Sequence, residues 1–181
     1  ELDPETRKAI EAEAEETEMK HKAFEHLLEE YAGDILHSDN FQKSKLYIQH
    51  GDVSVFTHSI YVARCAVMIN RKLHVGCDEK ELVRGALLHD YFLYDWHHNT
   101  PENIHPHLHG FYHPGIALKN ADRDFDLTLL EKDIIKKHMW PLTVVPPRYR
   151  EAWVVTTADK YSSFLETVKL RKSGKADFHY A

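Results

Sequence analysis

Helix-capping side chains recur along this chain, and each opens a segment whose apolar residues return at helical spacing. Asp78 stands three residues before Glu81, and Thr128 stands in the same relation to Glu131. Such an oxygen can accept a hydrogen bond from a free backbone N–H at a helix start, and the Glu can complete a capping box. We find no convincing strand alternation and no internal repeat in the sequence. The pattern therefore predicts a single all-α domain of about six to eight helices.

The predicted helices cover most of the chain. The first begins after Asp3 and can end at Gly33. A later helix, capped by Ser54 or Asp52, runs to about Lys72. The other predicted helices span residues 41–48, 79–92, 114–123, 128–138 and 148–171, and a polar, histidine-rich loop lies between residues 95 and 113.

The chain has the length of one domain, so residues 1–181 are predicted to form a single unit. Residues 1–32 are predicted to form an acidic N-terminal helix with a weak apolar face. A charge run of this kind is typical of a solvated surface. It also offers a surface for a homodimer, which the residue pattern permits without requiring.

Charge and hydropathy limit the expected partners. The formal net charge of −6 argues against a surface that coats nucleic acid, which would carry a basic excess. The longest apolar runs are far shorter than the roughly 20 residues of a membrane span, and no signal-peptide pattern opens the sequence. The only cysteines are Cys65 and Cys77, and Cys65 falls in an apolar helical stretch. Free thiols and a cytoplasmic location are therefore expected.

Histidine is the unusual component, at 15 of 181 residues. Ligand-type side chains stand in or beside predicted helices in the order H, HD, H, H, D: His58, His89-Asp90, His113, His138 and Asp159. Taken singly, each is more often a structural residue than a ligand. As a set they interrupt apolar helical faces, where a buried carboxylate is costly unless it is paired or binds a cation. Their nitrogen and oxygen atoms could close on a pair of divalent metals.

The sequences around these residues resemble the HD-domain superfamily of metal-dependent phosphohydrolases over residues 50–165. The pattern HSxxVA begins at His58, ALLHD ends at Asp90, and Asp159 lies late on a helix. The likeness is to small uncharacterised bacterial HD hydrolases, and it implies a compact helical HD-type domain with residues 50–165 as the metal-binding core. The Gly-Tyr-Pro and Lys that follow HD in HD-GYP phosphodiesterases are absent after Asp90, so hydrolysis of cyclic di-GMP is not expected.

The resemblance also implies the ligands. In the family, one metal is bound by the positions that correspond to His58, His89, Asp90 and Asp159. The two-metal branch adds two histidines, which His113 and His138 match, and Asp90 is then expected to bridge the ions. His109 lies one turn earlier and competes with His113, which we prefer because Pro114 marks the helix start seen in the family. Two divalent ions per chain are expected, with iron or manganese favoured over magnesium, cobalt, nickel or zinc.

These ligand types indicate hydrolysis of a phosphate ester of a small metabolite or nucleotide. Two metals about 3.5–4 Å apart can hold a hydroxide and neutralise phosphoryl charge. Asp90 and His89 are the predicted catalytic residues, and activity should fall in acid because metal-binding histidines must be neutral. The predicted substrate-binding residues are Lys137, Arg148, Lys160 and His109, and the loop histidines His97, His98, His105 and His107 are expected to line the loop.

Two other functions share this pattern. A branch of the superfamily uses the same six ligands to hold a mixed-valent diiron pair, which cleaves C–C or C–P bonds with O₂. A binding or regulatory module could instead keep the fold without catalysis, although such modules usually lose ligands and none of the six is missing here. Hydrolysis is the preferred interpretation.

Overall fold

The computed structural model describes residues 3–50, 52–95 and 108–168. Within them the regular secondary structure is helical apart from one short hairpin, which confirms the all-α prediction. The α-helices are α1 (Pro4–Leu36), α2 (Asp39–Gln42), α3 (Val55–Leu73), α4 (Glu79–Leu88), α5 (His109–Asp124), α6 (Leu129–Lys137) and α7 (Arg150–Thr167), with a 3₁₀ helix at Lys43–Leu46. Among these helices, none has the length and apolar character that would be needed to cross a membrane.

The capping residues act largely as the sequence indicates. Ser54, rather than Asp52, caps α3, and Thr128 opens α6 with a complete capping box. Asp78 caps α4 by accepting a hydrogen bond from the Glu81 backbone, but the return bond is missing. The backbone N–H of Asp78 instead donates to Glu151 in α7 at 3.1 Å. A capping interaction that the sequence predicts to be local thus becomes a link between two helices.

The sequence predicts that α1 can end at Gly33, but the helix continues to Leu36, with a kink at Ala32. Ala32, Ile35 and Leu36 are fully buried, so packing against the core stabilises the last turn beyond the glycine. Residues 4–20 of the same helix are exposed throughout.

Other boundaries also differ from the predictions. A two-stranded antiparallel hairpin, β1 (Ile48–His50) and β2 (Val53–Ser54), forms where a helix was predicted to extend to residue 48. Strands this short show too few residues to reveal alternation. Helix α4 ends at Leu88 rather than near residue 92, and α5 begins at His109 rather than at Pro114. Pro114 is tolerated inside α5 at the loss of one backbone hydrogen bond.

The core is formed mainly by α1, α3, α4 and α7, with further residues from α5 and α6. Helix α3 packs against both α4 and α7. Helices α4 and α6 approach each other closely at Gly85. A Cβ atom built on Gly85 would lie only 2.4 Å from Cδ1 of Ile134, so a side chain there would force the helices apart. This contact brings the end of α4, with His89, close to the end of α6, with His138.

Candidate metal centre

The six ligand-type side chains singled out in the sequence converge in the interior of the fold. The ends of α4 and α6 meet α3, α5 and α7 there, and each of these five helices or its C-terminal boundary supplies at least one member. All six residues are buried, with exposed fractions from 0 to 6%: His58 (α3), His89 and Asp90 (after α4), His113 (α5), His138 (after α6) and Asp159 (α7). We call these six residues the histidine–aspartate cluster.

The cluster has two parts. The first is formed by His58, His89, Asp90 and Asp159, whose possible ligand atoms all lie within 4.8 Å of one another. Nε2 of His58 lies 3.2 Å from Oδ1 of Asp159 and 3.7 Å from Oδ2 of Asp90. Nε2 of His89 lies 3.3 Å from the same Asp90 oxygen. Two imidazole nitrogens and two carboxylates therefore face one small volume.

The second part joins His113 and His138 to the other oxygen of Asp90. Their Nε2 atoms lie 3.1 Å and 3.4 Å from Oδ1 of Asp90, and 2.8 Å from each other. Each carboxylate oxygen of Asp90 thus faces a different pair of histidines. A carboxylate in this arrangement can bridge two cations.

For three of the four histidines, the partner of the ring nitrogen that faces away from the cluster indicates which nitrogen carries the hydrogen. Nδ1 of His89, His113 and His138 lies 2.7–3.0 Å from the backbone carbonyls of Ala86, His109 and Ile135. A carbonyl oxygen can only accept, so each Nδ1 carries the hydrogen and a neutral ring leaves its Nε2 lone pair directed into the cluster. Hydrogen bonds of this kind on the outer nitrogen orient histidines that bind metals.

The carboxylates of the histidine–aspartate cluster favour positive charge in its interior. Burial by itself lowers the pKa of His58, but the Asp159 and Glu166 carboxylates outweigh it and raise that pKa to about 9. Burial would raise the pKa of Asp90, yet His89 and His113 hold it well below its usual value. The carboxylates of the cluster therefore stay ionised and attract a cation.

The donor set fits divalent metal ions. Within the described part of the chain, Nε2 of His89 and Oδ1 of Asp90 are buried and make no hydrogen bond. The Nε2 atoms of His113 and His138 approach to 2.8 Å although both rings carry their hydrogen on Nδ1. Two lone pairs that face each other at this distance require a proton or a metal ion between or beside them. The first part suits one ion and the second part, with Asp90 shared, suits another.

Two residues that sequence reasoning missed support the cluster from outside it. Gln49, in β1, donates from Nε2 to Oδ2 of Asp90 at 2.6 Å, and its side chain is buried. Glu166, in α7, lies with Oε2 2.9 Å from Nδ1 of His58. The spacing of seven residues between Asp159 and Glu166 places both on one helix face and could have indicated the second carboxylate. Nothing in the sequence marked Gln49, because its strand was not predicted.

The predicted substrate-binding cations occupy different surroundings. Lys137 pairs with Asp133 one turn earlier at 2.5 Å. The guanidinium of Arg148 lies over the ring of Tyr149, 5.6 Å from its centroid. Lys160 contacts the cluster directly, because its ammonium donates to the backbone carbonyl of His138 at 3.3 Å, and burial lowers its pKa.

Of the histidines predicted to bind substrate or to line the loop, only His109 lies within the described residues. His109 stacks on His113, with ring centroids 4.6 Å apart, and is hydrogen-bonded through Nδ1 to the Tyr94 hydroxyl at 3.1 Å. It lies beside the cluster and belongs to neither group of possible ligands. The histidines predicted to line the loop lie outside the described residues: His97, His98, His105 and His107.

If each part of the cluster binds one ion, the loss of a histidine from the second part should release the ion there and leave the other in place. We expect His138→Ala to lower the metal content from two ions per chain to one, because it leaves only His113 and one oxygen of Asp90 on that side. The measurement is elemental analysis after dialysis against excess Mn²⁺ and removal of free metal. His26→Ala, which changes an exposed histidine in α1, should retain two ions. A His138 variant that keeps two ions would contradict the assignment of this residue.

Comparisons with known proteins identify one family. A model described as the HD domain matches residues 55–163, which is more than half of the chain. The matched range includes all six residues of the histidine–aspartate cluster, whereas Gln49 and Glu166 lie outside it. No curated protein and no solved structure matches the chain.

Proposed function

Because the chain belongs to the HD-domain family, which generally consists of metal-dependent phosphohydrolases, we propose that it hydrolyses a phosphate ester at two divalent metal ions. One observation carries the proposal: the two oxygens of Asp90 face two separate pairs of imidazole nitrogens. A single carboxylate placed in this way suits two adjacent ions, which is the arrangement of many phosphatases.

The side chains of the cluster would hold the ions and fix their surroundings. His58, His89 and Asp159 would hold one ion, and His113 and His138 the other, with Asp90 shared. When bound, the two ions supply a hydroxide at neutral pH and neutralise charge on the phosphoryl oxygens. Gln49 donates to Oδ2 of Asp90, which limits rotation of that carboxylate and would keep each of its oxygens turned toward one pair of histidines.

Lys160 is the best placed of the three predicted phosphate-binding cations. Its ammonium reaches the edge of the cluster at the His138 carbonyl, whereas the ammonium of Lys137 is held by Asp133. An ammonium group at this edge can donate to a phosphate oxygen and add to its neutralisation. We therefore propose a small phosphorylated metabolite or nucleotide as the substrate, with Lys160 as a contact to its phosphate.

Metal removal tests this function. The protein treated with a chelator should lose hydrolysis of a panel of phosphomonoesters, and Mn²⁺ or Fe²⁺ should restore it. The expected rate increase is at least about 100-fold, because several kcal/mol of charge stabilisation come from the ions and about 3 kcal/mol corresponds to that factor. Hydrolysis is measured as phosphate release, and metal content is measured on the same samples.

The outcomes of this experiment separate the competing functions. Hydrolysis that does not depend on bound metal would contradict the proposal. Tightly bound iron with a mixed-valent EPR signal and consumption of O₂ would identify the oxygenase branch instead. Folded protein that binds no metal would indicate a binding module.

A further inference from the structure

His58 differs from the other three histidines of the cluster in the group that holds its outer nitrogen. His89, His113 and His138 donate from Nδ1 to backbone carbonyls, whereas Nδ1 of His58 faces the carboxylate of Glu166 at 2.9 Å. The side chains of His58 and Glu166 are both fully buried. An ionised acceptor makes this hydrogen bond stronger than those to the neutral carbonyls.

We propose that Glu166 is a positioning residue of the metal centre, which acts through His58. Its carboxylate holds the hydrogen of His58 on Nδ1 and so directs Nε2 toward the part of the cluster that contains Asp159. The negative charge also makes the imidazole a stronger metal ligand. This inference rests on the metal binding that the proposed function requires, and it adds a residue that lies outside the family match at residues 55–163.

The geometry of α7 explains how one helix can serve both ends of the same ring. Asp159 and Glu166 are seven residues apart, about 10 Å along the helix axis and on one face. His58 lies between them, with Nε2 3.2 Å from Asp159 and Nδ1 2.9 Å from Glu166. The two carboxylates therefore fix the ring in one orientation. Because α3 packs directly on α7, this orientation is set by the core and not by a loop.

A purely structural role for the same contact makes a different prediction. If Glu166 only stabilised the packing of α7 on α3, its loss would lower the thermal stability of metal-free protein and leave metal affinity unchanged. If it acts through His58, metal affinity must fall, and it must fall only when His58 is present. The two roles are therefore separable by a binding measurement in two backgrounds.

The experiment measures the affinity of metal-free protein for Zn²⁺ by competition with a chromophoric chelator. Glu166→Gln keeps a neutral acceptor of the same size, and Glu166→Leu removes the acceptor. We expect the Zn²⁺ affinity of the part of the cluster that contains His58 to fall by roughly 10–100-fold in the Leu variant and by a smaller factor in the Gln variant. Thr167→Ala is the matched control, because the exposed Thr167 hydroxyl donates to the Ser163 carbonyl in the preceding turn of α7. The Zn²⁺ affinity of this variant should not change.

The second arm repeats the Glu166→Gln substitution in a His58→Ala background. There the substitution should have no further effect on Zn²⁺ affinity, since the group through which Glu166 acts is gone. In the wild-type protein, the Nδ1–H of His58 should give a protected, downfield ¹H NMR signal that moves upfield in Glu166→Gln. Both readouts remain available if the Leu variant fails to fold.

The outcomes distinguish this inference from the proposed function. Wild-type affinity in Glu166→Gln and in Glu166→Leu would overturn the positioning role while leaving the phosphohydrolase proposal intact. An equal loss of affinity with and without His58 would also overturn it, because the effect would then be structural. If the wild-type protein binds no Zn²⁺, Mn²⁺ or Fe²⁺, the proposed function itself fails.

Discussion

Asp90→Ala is expected to release both metal ions and to lower phosphate-ester hydrolysis by about 10³-fold or more. Asp90 is the one cluster residue shared by both groups of possible ligands, with Oδ2 facing His58 and His89 and Oδ1 facing His113 and His138. Its removal takes the bridging charge from both ions at once. The loss follows from the several kcal/mol that bound ions contribute, since about 4 kcal/mol corresponds to a factor of 10³.

The test combines elemental analysis with phosphate release. The matched control is Asp122→Ala, which removes a half-exposed carboxylate that pairs with Lys132 on the surface. The control should keep both ions and full activity. An Asp90→Ala protein that remained folded and retained both ions would show that the two parts of the cluster do not depend on a shared carboxylate.

Arg84→Met is expected to lower the free energy of unfolding by about 3–5 kcal/mol, as is typical when one partner of a buried ion pair is removed. The guanidinium of Arg84 donates to Glu131 and to Asp34 at 2.6 Å each, and Glu131 is 1% exposed. Methionine keeps most of the apolar volume but leaves the Glu131 carboxylate without its buried cation. The pair links α4 to α6, and the Asp34 contact links both to α1.

Urea unfolding followed by circular dichroism gives the free energy, with chelator present so that metal binding does not contribute. Arg71→Met removes a comparable bidentate pair with Glu79, but Arg71 is 58% exposed, and its loss should cost less than about 1 kcal/mol. Similar losses in the two variants would mean that burial does not govern the contribution of the Arg84 pair.

Much of the fold could be predicted because its determinants are local. Ser54, Asp78 and Thr128 each accept a hydrogen bond from a backbone N–H three residues later, which is an interaction within a single turn. Helix ends were less predictable. The last turn of α1 persists beyond Gly33 because Leu36 is buried in the core, and a local propensity of about 1 kcal/mol is small beside that burial.

In the candidate site, too, some residues could be predicted from local sequence and others could not. The six members of the cluster could be chosen from the sequence because their residue types and local motifs differ from those of ordinary helical faces. That they bind metal stays a prediction, although the structure brings all six together. Gln49 and Glu166 could not be assigned in the same way. Gln49 contacts Asp90, which is 41 residues away in the chain, and Glu166 contacts His58, which is 108 residues away.

The sequence by itself determined the helical class, most helix starts, the family and the candidate ligands. All of these depend on short-range patterns: a cap and its turn, an apolar face, or a motif of a few residues. Only the tertiary structure decided that Asp90 faces two pairs of histidines, that His109 stacks beside His113 without joining the cluster, and that Glu166 holds His58. These contacts depend on how α3, α4, α5, α6 and α7 pack, and packing joins side chains whose separation in the chain carries no local signal.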